Sequence, residues 1–223
     1  MTGDSPPPNV TDQLRAFVRA AGKDLDRLIV VSPGDGSSYL ESIYAVVGQS
    51  VPSALEHWEG DVNRKCNKYR ETFGTCEIVE INLGSSVYLF DRTYERVVIA
   101  YGIAATPSQE RDHSRMRRFP DVNIGIEVHM ADHAFPADRG HFLSHAAGGE
   151  LDINLFPHRR ELNRGWSPEG KTFRRMERYV ATNPGTFHAH HATYDDKTWI
   201  PAVLEYRVLM ENTTWWIEMF ANK

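Results

Sequence analysis

The spacing of apolar residues changes period along the chain, from helical to strand-like and back. From Thr11, a candidate N-cap, TDQLRAFVRAAG sets Leu14, Phe17 and Val18 on one helical face and stops at Gly22. Leu28 to Val31 is a short β-branched run broken by SPGDGSS. That segment lacks the Gly-Lys-Ser/Thr ending of a phosphate-binding loop and reads as a turn. Tyr39 to Val47 reads as a helix, and Pro52 is placed to start another that carries Leu55, Trp58, Val62, Cys66 and Tyr69.

Beyond Gly74 the period falls to two. EIVEINL, SVYLF and RVVIAYGIA are three β-rich runs separated by Gly84-Ser85-Ser86 and by Asp91 to Glu95, the pattern of an antiparallel meander. TPSQERDHSRMRRFPDV is a long polar, basic loop, and Asn123 to Met130 is a further strand or an extended loop. After residue 179, Thr186 to Tyr194, Pro201 to Met210 and Thr213 to Phe220 read as three strands, with Glu211-Asn212 turning the last hairpin. The chain is expected to be α+β: a disordered tail over 1–10, a helical N-terminal segment over 11–74, and a mostly antiparallel domain over 75–223.

Composition adds little to this picture, and charge distribution more. The hydrophobic share of 41% and charged share of 25% are ordinary for a soluble globular chain. No apolar run is long enough for a membrane helix, and the acidic, proline-rich start is not a signal peptide. Cytoplasmic residence is the default expectation, with signal-free export the alternative. Cys66 and Cys76 are expected to be reduced thiols and make no zinc site by themselves. The net charge of −5 hides two basic clusters. Arg111, Arg115, Arg117 and Arg118 form one; Arg159, Arg160, Arg164, Lys171, Arg174, Arg175 and Arg178 form the other. A local basic groove on an acidic body suits a phosphate ligand, whereas a solvated face balanced by Glu161, Glu169 and Glu177 is the alternative.

Candidate chemistry is concentrated in residues 138–179. An unperturbed histidine titrates near about 6.5, so His141 can take a proton from water at neutral pH. Gly140 lets the backbone bend beside it, while Asp138 and Arg139 hold the turn or meet phosphate. Asn163 carries a neutral oxygen suited to a hard cation that keeps most of its waters, although an asparagine before Arg164-Gly165 is ordinarily a turn residue. Asn154 to Pro157 can run as a short strand whose asparagine braces a loop. Phe173, Met176 and Val180 share a helical face, and Glu177 either faces metal-bound waters or pairs with Arg174.

Four pieces stand in order: Asp-Arg-Gly-His at 138–141, Asn-Leu-Phe-Pro at 154–157, Leu-Asn-Arg-Gly at 162–165 and Met-Glu at 176–177. Together they resemble the DNA/RNA non-specific endonucleases of the ββα-metal (His-Me finger) superfamily. The Gly148-Gly149 pair looks similar to that family's toxin-like branch. The resemblance implies a ββα-metal active-site module and a sequence-non-specific nuclease of DNA, with RNA an alternative substrate. His141 would be the general base and Asn163 the direct ligand of Mg²⁺, with Mn²⁺ the alternative ion. Arg139 would contact phosphate or fix the site, and Glu177 would position metal-bound waters. Asn154 would support the loop, while Arg117 or Arg118 would meet phosphate beside Asp138 and Arg164. Cleavage leaving 5′-phosphates is expected.

Three features depart from the pattern. His158 stands where glutamine is common, WSPEGK lengthens the interval to Glu177 so that Glu169 competes for the acidic role, and Phe142-Leu143-Ser144 follows His141. A toxin or defence effector would need restraint by an inhibitor or immunity protein, a gating ligand or export, and a homo-oligomer is compatible with the pattern. A non-catalytic nucleic-acid-binding or regulatory domain on a nuclease scaffold is the alternative. A zinc site at His188, His190 and His191 is a weaker idea: alternation puts His188 and His190 on one face, but the sequence offers no convincing partner ligand, and surface or half-buried strand histidines are commoner.

Overall fold

The computed structural model describes residues 39–106, 136–149 and 153–223. The expected tail, the helix from Thr11, the run at Leu28, the polar loop with Arg117 and Arg118, and the strand at Asn123 lie outside the described residues. The described elements begin with helix α1 (Tyr39–Val46), a 3₁₀ turn (Ser53–Leu55) and helix α2 (Trp58–Phe73). Strands β1 (Ile78–Leu83), β2 (Ser86–Asp91) and β3 (Arg96–Ile103) follow. Next come β4 (Ala137–His141), a 3₁₀ turn (His145–Ala147) and β5 (Leu155–Arg159). A one-turn helix α3 (Arg160–Asn163) leads to α4 (Pro168–Thr182), and β6 (Phe187–Thr193), β7 (Val203–Met210) and β8 (Thr214–Ala221) close the chain.

Two helical details differ from the sequence expectation. Pro52 precedes the 3₁₀ turn rather than opening the long helix, which starts after His57. WSPEGK is not an irregular insert. Ser167 caps α4 by accepting from the Gly170 N–H at 3.0 Å, and Pro168 occupies the first turn, where its missing N–H costs nothing.

The main sheet is fully antiparallel in the order β1-β2-β3-β6-β7-β8, so the segment carrying β4, β5, α3 and α4 leaves from one central strand and returns to its neighbour. β3 is buried along its whole length because helices cover both sheet faces. On one face Trp58 of α2 makes edge contacts with Tyr101 and Phe187, and Asp61 and Lys65 reach Arg207 and Glu205. On the other, Phe173 of α4 packs among His190, Tyr206 and Phe220. Buried residues of α1 and α2, such as Tyr44, Trp58 and Cys66, share one hydrophobic core with those of the sheet.

A buried cation ties α2 to the sheet. The Arg96 guanidinium lies 4.0–5.1 Å from the ring centroids of Tyr69, Phe73, Tyr94 and Tyr194. It donates to the Tyr69 hydroxyl and to the carbonyls of Asp196 and Thr198, each at 2.6 Å. These bonds offset the cost of removing its charge from water. Glu211 and Asn212 both adopt left-handed backbone, which turns the closing hairpin. Cys66 and Cys76 are unbridged, and burial pushes the Cys66 thiol up to about 11. Among the described residues no helix is long and apolar enough to cross a membrane.

Candidate active site

β4 and β5 form a two-stranded antiparallel ladder pairing Asp138 with His158, Gly140 with Phe156 and His141 with Leu155. Strand alternation puts Asp138 and Gly140 on the face shared with Phe156 and His158, and Arg139 and His141 on the opposite face. The first face packs against α4 through His158 and Phe173, whose ring centroids are 4.8 Å apart.

Gly140 does not bend the chain beside His141, contrary to the sequence expectation. It lies in regular strand without a positive φ, and its missing side chain leaves room for the His158 ring. A Cβ at Gly140 would fall 2.4 Å from His158 Cβ and 2.7 Å from Nδ1. The imidazole is fully buried among Phe156, Phe173 and Gly140, and burial pushes its pKa down to about 3. The Asn163 side chain pulls weakly the other way, through a polar contact short of a well-formed hydrogen bond. His158 is therefore a neutral, ring-shaped core residue at neutral pH.

Asp138 gathers the side chains of the next elements. Its carboxylate accepts from Arg160 Nε at 3.0 Å and from Arg164 Nε and Nη2 at 2.6 and 3.0 Å. The Asn163 amide nitrogen approaches at 3.5 Å, the outer limit for such a bond. These partners hold the Asp138 carboxyl below the usual carboxylate range against the opposing effect of partial burial. Asp138, Arg160, Asn163 and Arg164 thus form one cluster joining β4 to α3.

Asn154 is fully buried and clamps the segment just after His141. Its Oδ1 accepts from the Leu143 N–H and its Nδ2 donates to the Leu143 carbonyl, both at 2.7 Å, while its own carbonyl accepts from the Phe142 N–H at 2.9 Å. Gly149 packs against the Leu143 carbonyl, where a Cβ would fall 2.0 Å from the oxygen. These contacts fix where the backbone turns away from His141, which is half-buried at the end of β4.

No family model matches this chain, and no curated protein matches it significantly. The likeness to His-Me finger nucleases therefore rests on the motif residues themselves.

The acidic candidates differ sharply. Glu169 is exposed in the first turn of α4, where helix-end backbone and Ser167 lower its pKa. Glu177 lies two turns further along with a side chain only 12% exposed, and Arg174 Nη1 donates to it at 2.5 Å. Burial raises its pKa, with Arg174 opposing. The carboxylate also lies close enough to Tyr206 to push that buried phenol further up. Among the described residues, no three His, Cys, Asp or Glu side chains converge on one point. The expectation of half-buried strand histidines is corrected for His188 and His190, which are almost fully buried on the α4 side. His191 faces α2 and touches Lys65.

The sequence pointed neither to Asn222 nor to Arg160 as a partner of Asp138. Asn222 is fully buried near the C-terminus. Its Nδ2 donates to the Pro157 and Pro201 carbonyls and its Oδ1 accepts from the Arg159 N–H, all at 2.9 Å, which fastens β5 to the main sheet. No local pattern marks it, because its partners are distant in the chain.

Proposed function

We propose that this chain is a metal-dependent, sequence-non-specific endonuclease that hydrolyses phosphodiester bonds of DNA, with RNA an alternative substrate. In this reading β4, β5, α3 and α4 act as a ββα-metal module. The observation that carries it is the junction at Asp138, which links the strand bearing His141 to the helix end bearing Asn163. Three separated motifs thereby belong to one hairpin-and-helix unit whose exposed side chains are strongly basic.

The donor set fits one hard cation in kind. Asn163 offers a neutral oxygen, and its amide nitrogen is turned to Asp138. Asp138 is unsuited as a ligand because two guanidiniums already occupy its carboxylate. Glu177 is the buried carboxylate that would order bound water, and among the described residues no histidine or cysteine cluster favours zinc. Mg²⁺, or alternatively Mn²⁺, would supply Lewis-acid neutralisation of charge on the phosphate and the leaving oxygen.

His141 takes the proton of a water aligned with the scissile bond. The water oxygen forms the new P–O bond as the 3′ oxygen departs, leaving a 5′-phosphate. Arg139 and Arg164 bind phosphate oxygens, contacts indifferent to base identity and sensitive to salt. Asn154 holds the backbone after His141 and so fixes the base's position. Such an enzyme endangers its producer's genome, so we further propose a toxin or defence role restrained by an inhibitor, a gating ligand or export. Growth arrest on unrestrained expression, relieved by His141→Ala, is the expected result.

The test is cleavage of plasmid and of RNA with Mg²⁺, with EDTA, and by His141→Ala. Cleavage should require the metal and fall by roughly 10²- to 10⁴-fold in the variant, the usual contribution of a general base. A fully active His141→Ala would overturn the assignment. A second reading, a non-catalytic nucleic-acid-binding domain, is favoured by two facts. His141 lies on the face of β4 opposite Asp138, and Glu177 is already paired with Arg174. Binding that survives EDTA, with no cleavage under any divalent ion, would select it.

A further inference from the structure

Among the described residues the exposed large apolar side chains are Val46, Trp166, Ile217 and Met219, and only Trp166 carries a ring. It is 61% exposed, unusual for a residue that is normally well buried. It stands in the turn between α3 and α4, three positions after Asn163. The turn is rigid. The Trp166 N–H donates to the Glu161 carbonyl at 2.9 Å, the Gly165 N–H to Leu162 at 3.2 Å, and Ser167 caps the next helix. The indole therefore has a fixed base and an open ring.

Its neighbour is a prearranged cation. The Arg164 guanidinium carbon lies 5.0 Å from the Trp166 ring centroid, within cation–π range. That guanidinium is itself held by two bonds to Asp138. Arg174 backs the turn, since a Cβ on Gly165 would meet its Cγ at 3.0 Å, and Lys171, Arg175 and Arg178 are exposed on the same helix. An aromatic plane with a guanidinium against it matches a ligand that pairs flat π-faces with phosphates. A duplex hides its base faces in the stack, whereas an unpaired strand offers them.

We propose that Trp166 is a nucleobase-stacking platform that gives this site a preference for single-stranded over base-paired nucleic acid. The inference rests on the phosphodiesterase reading above and extends it to substrate class. A fluorescein-labelled single-stranded DNA, its duplex, and a strand of the same length built from abasic tetrahydrofuran nucleotides serve as probes. Binding is read by anisotropy in EDTA, so that cleavage does not intervene. Trp166→Ala should weaken the base-bearing single strand by roughly 5- to 100-fold, the range for loss of one stacked base. Trp166→Phe should retain most of the affinity, and the abasic strand and duplex should change by less than about twofold. Intrinsic fluorescence gives a second measurement. The single strand should quench the signal that Trp166→Phe removes, and the abasic strand should not. Equal weakening on all three probes, or none on the base-bearing strand, would overturn the stacking role. If the wild type cleaves DNA with Mg²⁺ in that case, only the stacking inference falls. If the wild type neither binds nor cleaves any probe, the phosphodiesterase reading falls as well.

Discussion

Acidification should destabilise this protein at a pH where most carboxylates are still ionised. The cause is a set of buried imidazoles between the candidate site and the main sheet. His158 packs between Phe156 and Phe173, and His190 stacks on Tyr206 at 3.9 Å. His188 lies on the same face of β6. Burial pushes the pKa of His158 and of His188 down to about 3, and that of His190 well below its ordinary value. In the unfolded chain each titrates near about 6.5, so between these limits the unfolded state binds more protons than the fold. The sign follows directly. Stability is full above the unfolded pKa and is lost as pH falls through and below it. Between pH 8 and pH 5, His158 and His188 together should cost about 4 kcal/mol, about 2 kcal/mol each. His190 adds in the same direction. Glu177, whose pKa is raised, contributes with the opposite sign near its own titration. Since a domain is stable by about 5–15 kcal/mol in total, the loss is a large fraction of the whole. Urea titrations read by tryptophan fluorescence and circular dichroism across that pH range measure it. His188→Gln, which cannot titrate, should remove about 2 kcal/mol of the pH-dependent difference. Stability that stays level from pH 8 to pH 5, or an unchanged pH slope in the variant, would refute the reasoning.

Two other substitutions probe the geometry around His141. Gly140→Ala would drive a methyl into the His158 ring, and overpacking of this kind costs about 1–3 kcal/mol. A thermal melt should show the loss and His158→Gly in the same chain, which also removes the Cβ that lies 2.4 Å from the new methyl, should relieve it, whereas an additive double variant would count against the contact. Asn154→Ala leaves both the Leu143 N–H and carbonyl buried without their partner, at about 1–3 kcal/mol for each orphaned group. It should also reduce cleavage through a misplaced His141. Normal stability with the same hydrogen-exchange protection at Leu143 would argue that the clamp does not form.

What the chain reveals by itself is mostly local. The β-rich runs at 77–104 and 186–220 became β1–β3 and β6–β8, because the apolar pattern records burial, on both faces along β3 and on one along most of β7. Phe173, Met176 and Val180 marked the buried face of α4 for the same reason at helical period. Proline at 52 misled because its fixed φ suits a 3₁₀ turn as well as a helix start. The order of the motif residues suggested a chemistry, but their mutual positions were not legible. Asp138 and Arg164 meet across 26 positions, and Asn222 reaches Pro157 across 65. Such contacts depend on how the sheet closes, which no short window encodes. Tertiary structure alone decided that Gly140 makes room for His158, that Glu177 lies near buried Tyr206, and that Trp166 stays outside the core. In each case the deciding quantity is space or charge supplied by a distant segment, and periodicity carries no record of either.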